Sequence, residues 1–185
     1  MAHSPKNVQL FAGHYTSKRV FQVRQHYSGS GWVTDAAEFC FYGVSGKKLG
    51  TYVASASGAT VTWSLSTTQV AFKGKLISRS SAAVQEDVRG SVGRYYPYGE
   101  DRDSTANDVM TFSTYTRDSV SGLDYAQQRY HASGVGWSNR ADPYDASAGS
   151  NDPGSWNRYT YVGGDPVGFR DPSGRATACN QLGQF

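Results

Sequence analysis

Apolar and polar positions alternate with a period of two along much of the first half of the chain. Val61, Trp63 and Leu65 are interleaved with Thr62 and Ser64, so an extended backbone aims three large apolar groups at one face and the hydroxyls at the other. That pattern predicts a sheet with one dry side. Comparable β-rich runs predict strands at Arg19 to Tyr27, Trp32 to Tyr42, Lys48 to Ser55, Thr60 to Leu65, Thr68 to Phe72, Lys75 to Arg79 and Ala83 to Asp87. Between them lie Ser28-Gly29-Ser30-Gly31, Gly43-Val44-Ser45-Gly46, Ser57-Gly58 and Lys73-Gly74, short connections of the kind that join antiparallel neighbours. No segment of a dozen residues carries a 3.6-residue apolar rhythm. The chain therefore reads as all-β.

A second block of expected strands covers Val92 to Tyr98, Met110 to Thr116 and Leu123 to Tyr130. The last could also be helical, because Asp124 to Arg129 contains no breaker; the flanking glycines and the aromatics Tyr125 and Tyr130 favour a strand. From Asn139 the texture changes. Four of the six prolines follow an aspartate, at Asp142-Pro143, Asp152-Pro153, Asp165-Pro166 and Asp171-Pro172. A residue before proline is pushed to extended geometry and an Asp side chain caps nearby N–H groups, so each pair tends to fix a turn. The C-terminal third reads as pinned loops with at most one short helix, at Ser155 to Tyr161, which Ser155 could cap.

Composition narrows the class. Of 185 residues only 18% are charged, which argues against a helical bundle or coiled coil, and 14% aromatics argue against wholesale disorder. A net charge of +3 is too small and too evenly spread for a nucleic-acid footprint. No apolar stretch approaches the ~20 residues of a membrane span, and Met1 to Lys6 lack the apolar core of a secretory signal. Cys40 sits among aromatics and Cys179 in a polar tail, which reads as two unpaired thiols with Cys40 in the core.

Three blocks carry a family resemblance. Arg94-Tyr95-Tyr96-Pro97-Tyr98-Gly99-Glu100, then Gly122-Leu123-Asp124-Tyr125-Ala126-Gln127-Gln128-Arg129-Tyr130, then Asn157 to Val167 with Asp171-Pro172-Ser173-Gly174, resemble the Rhs repeat-associated core domain, the terminal module of Rhs and YD-repeat proteins. Upstream, Lys18 to Gln22 and Phe41-Tyr42-Gly43 through Lys48-Leu49 look like degenerate YD repeats; Gly43 follows Tyr42 where an aspartate is usual, and Gly46-Lys47 stands in for Gly-Arg. The resemblance implies residues 1–14 as an N-terminal tail, 15–90 as YD-repeat-like hairpins within a spiralling shell sheet, 91–174 as the core and 175–185 as a C-terminal tail. In the family the repeats coil an antiparallel sheet into a hollow shell, and the core closes one end and feeds a C-terminal segment, often a toxin, into the cavity. The expectation here is a closing fragment without a toxin domain, secreted or at a cell surface. Its implied partners are an upstream Rhs/YD-repeat chain or further copies joined through sheet edges.

The resemblance also implies a chemistry. Family members cleave themselves after Asp-Pro-x-Gly-Leu with a pair of aspartates, one holding a proton to polarise the scissile carbonyl while the other activates water. By motif the acids are Asp142 and Asp171, with cleavage after Arg175. Arg175 replaces the usual leucine, and Pro143-Tyr144-Asp145 departs from the usual glycine, so a retained scaffold with turn-forming aspartates is the preferred reading and active self-cleavage the alternative. Asp152 and Asp165 are expected to be turn residues. His3, His14, His26 and His131 show no metal-ligand spacing, Ser28 to Gly31 lacks the Lys-Ser/Thr of a phosphate loop, and no Gly-x-Ser-x-Gly elbow occurs, so no cofactor or metal is expected. The 13 tyrosines read as packing groups that bury their rings and bond through their hydroxyls, with a glycan-binding or adhesion surface as the alternative.

Overall fold

The structure is a computed structural model that describes residues 7–13, 18–44, 46–57, 59–143, 149, 151–175 and 177–179. It is all-β, with short 3-10 turns and no longer helix among the described residues. The chain divides into two units, Met1–Val84 and Gln85–Phe185.

The first unit is one antiparallel sheet whose seven strands lie side by side in chain order: β1 Asn7–Gly13, β2 Arg19–Tyr27, β3 Trp32–Tyr42, β4 Lys48–Ser57, β5 Thr60–Phe72, β6 Lys75–Arg79 and β7 Ala82–Ala83. Ser28 to Gly31 and Lys73-Gly74 join strands as expected, while Ser45 and Gly58 of the other two expected turns lie outside the described residues; Lys73-Gly74 supplies the two positive φ values, 48° and 81°, that a tight hairpin needs. Three expectations change. Residues 7–13, read as tail, form β1. The two strands expected at Thr60 to Leu65 and Thr68 to Phe72 are one continuous strand, β5. Ala83 to Asp87 contributes only its first residue, to β7.

β5 stays continuous through a bulge: Tyr52 pairs with Leu65 but Thr51 with Thr67, leaving Ser66 as the extra residue. The next residue of β4 is Gly50, and a Cβ there would lie 2.6 Å from the Thr67 carbonyl oxygen, so the close approach of the two backbones requires glycine.

Register places Phe21, Phe39, Tyr52 and Leu65 in one row across four strands. Their face is not the dry side that the alternation of Val61, Trp63 and Leu65 suggests, since Trp63 is 47% and Leu65 52% exposed. The rings instead pack on one another, Phe39 lying 4.9 Å from Phe41 and 6.4 Å from both Phe21 and Trp63. The buried positions of the sheet's middle strands lie on the other side. There Gln22, Cys40 and Thr51 are buried, Cys40 as a free thiol, and Arg24 Nη2 donates to Glu38 Oε1 at 2.6 Å.

The second unit is held by an aromatic core rather than by long strands. Tyr95, Phe112, Tyr115, Ala126, Tyr161 and Val162 are buried together, with Tyr98 against them. Four two- or three-residue strands form its main sheet in the order β11-β10-β9-β8: β8 Thr116–Arg117, β9 Asp124–Tyr125, β10 Tyr130–Ala132 and β11 Trp137–Ser138. β12 Phe169–Arg170 pairs with β13 Ala178–Cys179. The expected strand at Val92 to Tyr98 is only a bridge from Tyr95 to Asp101, and Met110 to Thr116 is a 3-10 turn at Phe112–Thr114. Leu123 to Tyr130 is a tight hairpin, not one strand, and Ser155 to Tyr161 is not a helix: a 3-10 turn covers Pro153–Trp156, capped by Asp152.

Candidate functional site

The β9–β10 hairpin folds back so sharply that the Ala126 N–H donates to the Arg129 carbonyl at 2.9 Å, with Gln127 between them at φ 61°. Arg129 thereby stands at the entry to β10, its side chain only 4% exposed. Its Nη2 lies 3.0 Å from Asp142 Oδ2 and 2.9 Å from Asp171 Oδ2, while Nη1 donates to the Arg158 carbonyl at 3.2 Å. The two aspartates singled out in the sequence thus converge on one nitrogen of a buried arginine that stands in the Gly122 to Tyr130 block without a role assigned to it there.

Each aspartate is fixed from its own side. The Asp142 N–H donates to the Arg158 carbonyl at 2.9 Å and Arg158 Nη2 donates back to the Asp142 carbonyl. Asp171 Oδ1 accepts from the N–H groups of Ser173 at 3.3 Å and Arg175 at 3.1 Å, closing the Asp-Pro-Ser-Gly turn on its own side chain. Tyr115 Oη donates to the Asp171 carbonyl, Thr114 Oγ1 to that of Pro172 at 3.3 Å, and the Gln128 N–H to that of Ser173 at 3.3 Å. Gly174 ends the turn at φ 73°, where a Cβ would meet the Ala126 carbonyl oxygen at 2.5 Å.

A guanidinium between two carboxylates differs from the arrangement in which two acids press together and share one proton. Here the cation offsets both charges, which suits a structural tie. Arg175, which the cleavage motif would have placed in an apolar pocket, is exposed, and the bond that follows it leads to residue 176, outside the described residues. Tyr144 and Asp145 of the first motif also lie outside them.

The surroundings are dry. Burial pushes the Tyr161 hydroxyl up to about 12, against the pull of its bond to Ser113, and burial raises Tyr115 well above 10. Burial lowers His131 from 6.5. A second buried pair lies nearby: Arg117 bonds Asp124 through Nε and Nη2, at 2.6 and 3.1 Å, and its Nη1 reaches Asp101 at 3.0 Å. Burial of Asp124 raises its pKa despite that arginine.

Asp152 and Asp165 cap turns as expected, Asp152 accepting from the Gly154 N–H and Asp165 from those of Val167 and Gly168. The tyrosine hydroxyls are bonded at the core: Tyr95 to the Val92 carbonyl, Tyr98 to that of Gly164, Tyr161 to Ser113 Oγ. Among the described residues no group of three His, Cys, Asp or Glu side chains is placed to hold a metal ion, and no helix is long and apolar enough to cross a membrane.

Fold and site together define an antiparallel hairpin sheet followed by a loop-built aromatic core knotted by Asp142, Arg129 and Asp171. No protein-family model matches the chain, and no curated protein matches its sequence. Its fold is similar to part of the crystal structure of TcdB2-TccC3, with a TM-score of 0.51 at 18% identity; the match covers 90% of this chain and 9% of that one. The chain therefore spans a small fraction of the length of the protein it matches, and the likeness is one of fold.

Proposed function

We propose that the chain is a non-catalytic structural module of the kind that closes an Rhs/YD-repeat shell, working in assembly with an upstream repeat chain or with copies of itself. The strand order carries this reading. A sheet that runs from β1 to β7 in chain order ends in two outer strands, and outer strands template pairing with another chain. The fold match supports it, because 90% of this chain corresponds to 9% of a far longer one, as a module corresponds to part of a large architecture. The tie on Asp171 supports it as well: Oδ2 is bonded to Arg129 and Oδ1 to the backbone of its own turn. Light scattering over a wide concentration range, with electron microscopy of the purified chain, tests the proposal. Oligomers, filaments or a complex with repeat chain are expected; a monodisperse monomer at all concentrations that ignores added repeat chain defeats it.

One observation favours a second reading, single-turnover self-cleavage: the two motif aspartates do meet, at Arg129. In that case water adds to the Arg175 carbonyl, the bond to Ala176 breaks and the new amine leaves with a proton. Intact mass spectrometry decides. Loss of the residues after Arg175, abolished in both Asp142→Asn and Asp171→Asn, establishes cleavage, and a persistent full-length mass removes it.

A further inference from the structure

His131 is 1% exposed, and neither reading above uses it. Its ring lies in an aromatic box, 4.8 Å from Tyr161, 5.9 Å from Phe112 and stacked at 25° to it, and 6.1 Å from Tyr115. Nε2 stands 2.7 Å from the Tyr98 carbonyl oxygen. A carbonyl only accepts, so Nε2 carries the proton and the neutral ring presents a bare Nδ1. That Nδ1 is buried and has no hydrogen-bond partner. A second proton would place a charged N–H there with nothing to receive it.

The charged neighbours do not relieve this. Asp124 is directly opposite His131 in the β9–β10 ladder and favours the imidazolium, but its carboxylate is bonded to Arg117. Arg117 and Arg129 both oppose a positive ring, and the Tyr98 carbonyl and the Tyr115 and Tyr161 rings face it from the other packed segments.

We propose that His131 is an acid-operated release for the C-terminal unit: protonating its ring opens the aromatic core and, through Tyr115, loosens the turn from Asp171 to Gly174 that the core clamps. The path is short. Tyr115 packs beside the His131 ring on one side and donates to the Asp171 carbonyl on the other.

The direction follows from linkage. Burial holds the folded ring below its ordinary 6.5, so the unfolded chain binds more protons between those two values. Stability is complete above 6.5 and is lost as the pH falls from there through the lowered folded value, the unfolding constant rising by at most roughly tenfold per pH unit within that window. Asp124, with a raised pKa, has the opposite slope, but in the carboxylate range rather than the histidine range.

The test uses the full chain, with thermal unfolding followed by near-ultraviolet circular dichroism from pH 7.5 down to pH 5. The wild type is expected to lose stability with that slope. His131→Phe, which keeps an aromatic ring, and His131→Gln, which keeps a donor for the Tyr98 carbonyl, are both expected to lose it, whereas His26→Gln, at a half-exposed histidine of the first unit beside Asp35, keeps it. Protection factors at Ser173 and Arg175, the two N–H groups bonded to Asp171, should fall over the same pH window in the wild type and in His26→Gln but in neither His131 variant. A slope retained in both His131 variants overturns the proposal. Should neither variant fold, a histidine NMR titration of the wild type decides instead: a His131 ring that protonates near pH 6.5 while the core signals stay native also overturns it.

Discussion

Arg129→Met keeps the apolar stem of the side chain and deletes the cation that Asp142 and Asp171 share. The Asp171 side chain is 2% exposed and that of Asp142 13%, so two carboxylates remain where water is largely excluded. Removing one partner of a buried ion pair costs about 3–5 kcal/mol; the partial exposure of Asp142 argues for the lower end, about 3 kcal/mol. For a domain of about 100 residues, each kcal/mol moves the unfolding midpoint by about 4–8 °C, so the transition of the C-terminal unit should fall by about 12–24 °C. Differential scanning calorimetry of the full chain reads this directly. A triple variant, Arg129→Met with Asp142→Asn and Asp171→Asn, removes the stranded charges yet keeps a side-chain amide oxygen at position 171 to accept from the Ser173 and Arg175 N–H groups. It should recover much of the loss. An Arg129→Met midpoint within about 3 °C of wild type, or a triple variant no more stable than the single one, refutes the view that charge compensation holds this turn.

Gly174→Ala combines a positive φ with a Cβ 2.5 Å from a carbonyl oxygen, and should cost about 1–3 kcal/mol in urea unfolding of the C-terminal unit. Ser80 and Ser81 sit at φ 47° and 68° in the turn before β7, so Ser80→Asn with Ser81→Gly should stabilise the sheet by about 1 kcal/mol, seen as slower amide exchange in β6. In alkali the sign is fixed by the raised folded-state pKa values of Tyr161, about 12, and Tyr115. The stability they contribute is complete below 10 and is lost as the pH rises above it, so absorbance titration should show these two phenols ionising only as the core unfolds.

The hairpins of the first unit are legible because alternation and Gly-containing turns are local signals. β5 was hidden by its own bulge: Ser66 shifts the alternation by one residue, and a shift of phase looks like the end of a strand. The exposed aromatic face could not be anticipated either, because alternation tells which residues share a face and not whether anything covers it. In the second unit the aromatics around Tyr95 and Phe112 resemble strand formers, yet positive φ at Gly90, Gly93, Gly99, Asp108, Ser113 and Thr114 turns the chain so often that the rings meet in a core without strands. Asp142 and Asp171 were found through their motifs. Arg129 stands in a motif block too, but its role does not show there, since a partner 42 residues away leaves no spacing to read.

The strand order of the first unit also bears on how the chain comes together. Each strand from β2 onward finds its partner in the strand synthesised just before it, so every closure spans one short turn and little loop entropy is lost at each step. Such a sheet can zip up in the direction of synthesis. By the same logic, a hairpin gained or lost at its outer strand leaves the existing pairings intact, which makes the length of the sheet one of its most freely variable properties.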